Sequence, residues 1–120
     1  MGSGSALVSK QIIYKICPAQ AWEQARLAGI YAGSEHDQRD GYLHFSSAEQ
    51  LYATYQKYFA GQRDLLLIAI DCAALAAALR WEAARDGALF PHLYGPLTLS
   101  AVLWQRSIPD QPDPQFFTEL

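Results

Sequence analysis

The sequence predicts an α+β fold built on a split, curved β-sheet with two main helices, and three observations carry that expectation. Elements run strand, helix, strand, helix and then mainly strands, an order unlike the regular alternation of a doubly wound parallel sheet. The stretch "DLLLIAID", residues 64–71, is apolar throughout its middle, as a central strand buried on both faces should be. Two helical segments carry their own start and stop residues, a proline and a glycine for the first and a serine cap for the second.

Taken in order, "QIIYKI" at 11–16 mixes β-branched and aromatic residues and reads as the first strand. Pro18 suits the first turn of a helix over 18–28, with Trp22, Ala25 and Arg26 on one face and Gly29 as its C-terminal cap. "IYAGSEHDQRDG" is polar and bounded by glycine, and reads as a loop. "YLHFSS" alternates, placing Tyr42, His44 and Ser46 on one face and Leu43 and Phe45 on the other. Ser46 and Ser47 precede Glu49 and Gln50 at capping-box spacing, starting a helix over about 47–60 with a stripe of Leu51, Tyr55, Tyr58 and Phe59. After strand 64–71, Asp71 caps the short segment "CAALAAAL"; "RWEA" reads as a brief strand and "SAVLWQRSI" as the last one. The proline-broken tail "PDQPDPQFFTEL" is expected to lie along the surface.

At 120 residues the chain has the length of a single domain over 11–120, and residues 1–10 read as a disordered or expression-derived arm. Half the residues are apolar, 18% are charged and the net charge is −3. A core is therefore affordable, and no basic face for bulk nucleic-acid binding is expected. No apolar run is long enough to span a bilayer, and Cys17 and Cys72 read as free thiols of a cytoplasmic protein. Cys17 sits near a helix N-terminus, a position that can depress a thiol pKa.

Candidate chemistry gathers in two stretches. His44, opposite Leu43 and Phe45, faces a cleft or solvent beside Ser46, where an imidazole serves either as an acid–base group or as a surface residue. In "LFPHLYGPL", residues 89–97, Pro91 and Pro96 frame His92 and Tyr94. That frame suits a pre-ordered ligand wall or, more plainly, the end of a strand. Glu82 reads as a buried carboxylate or an ordinary surface acid, and Lys15 as a snorkelling edge residue or a pocket cation. His36, His44 and His92 form no recognised His/Cys/carboxylate ligand motif, so no metal site is expected.

Together "IYKI", "AWEQA", "DGYLHFSSAEQ", "DLLLIAID", "RWE" and "LFPHLYGPL" resemble the domain of unknown function 952 family over residues 12 to about 105. That fold is similar to the ADP-ribosyltransferase core, and within it to the RNA 2′-phosphotransferases, which grip NAD between two sheets. The resemblance places Tyr14 and Lys15 on the first-strand signature, His44 on the second-strand histidine and Leu65 to Asp71 on the central strand. Lys15 stands where that signature has histidine, and Ile16 where it has glycine. It implies a cleft for NAD or a related nucleotide, with His44, His92 and Glu82 in catalytic roles and Tyr14, Lys15, Ser46 and Tyr94 contacting ligand. A transferase is the leading expectation. A non-catalytic ligand-binding or protein-interaction module stands second, and a hydrolase using His44 and His92 as an acid–base pair stands third.

Overall fold

Alternation along the first strand sets the architecture. In β1 (Ile12–Pro18), Ile13 and Cys17 bury on one face while Tyr14 and Ile16 bury on the other. A strand of this kind needs a covering layer on each side. The computed structural model of the protein describes residues 11–84 and 86–120. The N-terminal arm expected over 1–10 lies outside the described residues.

The first sheet has the order β1-β4-β8, with β4 (Leu65–Asp71) antiparallel to both β1 and β8 (Val102–Ile108). Leu67, Ile68, Ala69 and Ile70 have no solvent exposure, as their continuous apolar run requires. On one face packs α1 (Ala19–Ala28), burying Trp22 and Ala25 and ending at Gly29 in the left-handed conformation. Arg26 does not join that buried face. Its guanidinium stays hydrated and pairs with Glu23 at 2.6 Å.

On the other face packs the helix over Leu51–Tyr58, entered through a 3₁₀ turn at Ala48–Gln50. Ser47 and Gln50 close the expected capping box. Leu51 and Tyr55 are buried, whereas Tyr58, expected in the same stripe, is exposed at the helix end. The C-terminal tail also departs from expectation. Asp113 accepts from the Phe116 backbone N–H at 3.1 Å and caps a short helix at Pro114–Thr118. That helix buries Phe117 against Tyr52 and Tyr55, completing the layer over Tyr14 and Ile16. In chain order the helices are α1 (Ala19–Ala28), α2 (Glu35–Asp40), α3 (Leu51–Tyr58) and α4 (Pro114–Thr118).

The second sheet has the order β3-β6-β5, made of β3 (Leu43–His44), β6 (Leu89–Leu93) and β5 (Leu79–Ala83). A ribbon of β2 (Ile30–Tyr31) and β7 (Leu97–Thr98) stands beside them. All ladders among the described residues are antiparallel, which makes the fold α+β. The two larger sheets meet at one bridge, where Tyr14 N–H donates to the Ser46 carbonyl at 2.8 Å and Ser46 N–H returns to Tyr14 at 2.9 Å.

Pro91 and His92 lie within β6, the middle strand, and only Tyr94, Gly95 and Pro96 form a bend. The proline is tolerated for a local reason. Its carbonyl accepts from Phe45 N–H at 3.0 Å, so its missing N–H faces the same side, where the β3 ladder has already ended at His44. No helix among the described residues is long and apolar enough to cross a membrane.

Candidate functional site

The stretch read as a loop, 30–41, folds into β2 and α2. Ser34 accepts from Asp37 N–H at 3.1 Å while the Asp37 carboxylate accepts from Ser34 N–H at 2.9 Å, a capping box that starts the helix. Gly41, with φ 88°, ends it and sends the chain into β3. Gly33 is equally constrained: its φ is 107°, and a Cβ there would stand 2.5 Å from Leu43 Cδ2 and 2.8 Å from Asp37 Cβ. Only glycine lets the backbone approach this closely.

Asp37 is thereby buried beneath His44. Its Oδ1 accepts from His44 Nδ1 at 2.7 Å and from His44 backbone N–H at 3.1 Å, and its Oδ2 lies 3.1 Å from Lys15 Nζ. Burial alone would raise its pKa, but the His44 hydrogen bond, the Lys15 charge and the backbone N–H donors outweigh it and hold the carboxyl well below the usual carboxylate range. Burial pulls the Lys15 pKa down, against the support of Asp37. The lysine also donates to the His44 carbonyl at 2.7 Å. Lys15, Asp37 and His44 therefore form one hydrogen-bonded unit, buried at Lys15 and Asp37 and reaching the surface at His44.

His44 and His92 are direct partners across the β3–β6 ladder, with ring centroids 5.5 Å apart. Tyr42 stacks on His92 at 4.1 Å and also touches the rings of His44 and Tyr94. From β5, Glu82 accepts from Tyr94 OH at 2.7 Å and meets His92 Nδ1 at 2.8 Å. Those two hydrogen bonds, His92 first, lower the Glu82 pKa, and the same bond raises that of Tyr94. No hydrogen bond within the described residues engages His92 Nε2. The cleft beside these groups measures about 740 Å³ and is bordered by Tyr42, His44, Ser46, Lys57, Phe90 and His92.

Of the residues singled out from sequence, His44, His92, Glu82 and Tyr94 come together. Ser46 borders the cleft but is buried, its hydroxyl 2.9 Å from that of Thr54. Tyr14 lies on the far side of β1 against Trp104, bordering a smaller neighbouring cavity of about 320 Å³. Lys15 is not the cation of the larger cleft; Lys57 is the lysine on its border. Cys17 and Cys72 are free thiols, and burial pushes the Cys17 pKa up, overturning the depressed value its place near a helix start implied.

Sequence reading missed Asp37 and Asp40, and considered His36 only in setting aside a metal site. His36 and Asp40 share a helical face four residues apart, and His44 follows four residues later, with its Nε2 at 2.9 Å from Asp40 Oδ2. The Ser34-x-x-Asp37 spacing, followed by Gly41, was the legible mark of a helix there.

Solved structures of the protein CC0527 from Caulobacter crescentus are similar to this chain. The crystal structure of CC0527 has 38% sequence identity and a TM-score of 0.85, covering 91% of this chain and 99% of that one. A double mutant of it gives 37% and 0.85 over the same shares, and its solution NMR structure gives 40% and 0.77, covering 91% and 96%. No curated protein matches the chain. The family described as "Protein of unknown function (DUF952)" matches residues 16–105, which take in β1 from Ile16, the whole of α2, β3, β5 and β6, and every residue of the His44–His92 cleft. This chain belongs to the DUF952 family.

Proposed function

We propose that the cleft between the second sheet and helices α2 and α3 binds NAD or a related nucleotide, and that the chain acts on it as a transferase of ADP-ribosyltransferase-like type. The observation that carries this reading is the Glu82–His92 pair, held at 2.8 Å beside His44 with Tyr42 stacked on it. A carboxylate that fixes one imidazole nitrogen leaves the other to take or give a proton. Aromatic faces from Tyr42 and Phe90 suit a nicotinamide or adenine ring, and the cleft volume lies within the range of small-molecule sites.

In this reading the glycosidic bond to nicotinamide breaks, and nicotinamide leaves with the bonding electrons. An acceptor hydroxyl attacks the oxocarbenium-like sugar carbon and its proton passes to His92 Nε2. Glu82 orients and charge-stabilises the imidazolium that results. His44 is a positioning residue, since both of its ring nitrogens face carboxylates. That engagement also speaks against the two histidines as an acid–base pair around a phosphate. Their rings are in edge contact, with no phosphate-sized gap between them.

Thermal denaturation with NAD, ADP-ribose, AMP and nicotinamide tests the reading, because a ligand that binds only the native state raises the transition temperature. At least one of these is expected to raise it, and His92→Ala to abolish the rise. A transition temperature unmoved by all of them at millimolar concentration would overturn the proposal.

A further inference from the structure

We propose that His36, Asp40 and His44 form a binding site for one divalent transition-metal ion of the Zn²⁺ class, at the mouth of the same cleft. Each residue offers one ligand atom, and the three atoms lie within 4.8 Å of one another. His44 Nε2 stands 2.9 Å and His36 Nε2 3.6 Å from the same oxygen, Asp40 Oδ2. Ligand atoms around a tetrahedral Zn²⁺, at about 2.0–2.1 Å from it, stand about 3.3–3.4 Å apart, so these two spacings bracket the requirement.

His44 supplies a second, independent indication. Its Nδ1 faces the buried Asp37 carboxylate at 2.7 Å, while its Nε2 faces Asp40. A neutral imidazole carries one ring proton and satisfies only one of those two oxygens. With that proton on Nδ1, the Nε2 lone pair faces a carboxylate oxygen, a juxtaposition that either a second ring proton or a metal cation between them resolves. A carboxylate behind a ligating histidine is also the usual support for a protein-bound metal, since it fixes the tautomer and raises ligand basicity. Asp37 is itself anchored by Lys15 and by the backbone of Ser34 and His44, so His44 is held in place before any metal arrives.

Nitrogen, nitrogen and carboxylate oxygen favour Zn²⁺, Co²⁺ or Fe²⁺ over Mg²⁺ and Ca²⁺, which prefer oxygen throughout. Three protein ligands leave one position of a tetrahedral site open, as in catalytic zinc sites. One group must move. Arg39 Nη2 lies 3.2 Å from His36 Nδ1, and ligation through Nε2 puts the proton on Nδ1 and releases the exposed arginine.

The site stands apart from the nucleotide reading and is tested without any nucleotide. Isothermal titration of the full chain with ZnCl₂, after chelator treatment, is expected to show one ion bound per chain. Co²⁺ is expected to give a visible d–d spectrum, and Mg²⁺ no heat. His36→Ala and Asp40→Ala, both partly exposed and remote from the core, should each weaken Zn²⁺ at least tenfold. Arg39→Ala should keep or tighten it, and Cys72→Ser should leave it unchanged. Absence of stoichiometric Zn²⁺ binding would overturn the site. So would binding that survives both His36→Ala and Asp40→Ala, or that disappears in Cys72→Ser.

Discussion

Asp37 is a buried acid whose ionised form is held by a lysine, a histidine and two backbone N–H groups. Its folded pKa lies below the unfolded one. The stability it contributes is therefore full above the ordinary carboxylate range and is lost as pH falls through that range toward the folded value. Asp37→Asn should remove this dependence. It should also cost about 3–5 kcal/mol at neutral pH, the usual loss when one member of a buried pair is deleted and the other is left behind. Urea denaturation of both proteins between pH 3 and 7 measures the effect. The wild type should weaken on acidification more steeply than the variant, and parallel curves would show that Asp37 is not the titrating group. Lys15, whose own pKa is lowered by burial, is then left without its carboxylate and has reason to shed its proton.

At the scale of elements, the sequence was most legible where one periodicity held without competition. β1, β4 and β8 were read from apolar content and α1 and α3 from their caps, because burial on a sheet face and the chemistry of a helix end are both written locally. Two elements were not legible. The short helix α2 looked like a loop because every one of its residues is polar, and the burial of Asp37 depends on Lys15 arriving from β1. Pro91 looked like a strand breaker, yet it is accepted in a middle strand because β3 ends just where its N–H would have been used. The site inherits both errors: His44, His92, Glu82 and Tyr94 were visible, while the α2 residues beneath and beside them were not. The tail was misread for the same non-local reason, since Phe117 finds its partners in α3. Phe117→Ala should therefore cost about 3–5 kcal/mol, as for other fully buried aromatics, and a surface-lying tail would have cost almost nothing. The urea midpoint of the variant decides between them.

Across the whole molecule, the meeting of the two sheets at the Tyr14–Ser46 bridge creates a layered site. The lower layer of Lys15, Asp37 and His44 joins the first sheet to α2 and β3. The upper layer of His92, Glu82 and Tyr94 stands on the second sheet and the bend that follows β6, and meets the cleft through His92. The two histidines, adjacent across one ladder and alike in chemistry, should thus respond differently to the same truncation. His44→Ala deletes a hydrogen-bond donor to a buried carboxylate and leaves Asp37 short of a partner, an outcome that costs about 1–3 kcal/mol. His92→Ala removes a ring from the cleft side and leaves Glu82 with water and Tyr94, so its cost in stability should be smaller than that of His44→Ala. Ligand response should run the other way, lost in His92→Ala and, in His44→Ala, weakened only in proportion to the loosening of β3. Measuring the urea midpoint and the ligand-induced thermal shift on the two variants side by side tests the division. Equal stability losses with equal loss of ligand response would mean that the layers are one unit, and that the ladder pairing of His44 with His92, not the Asp37 support, is what holds the site.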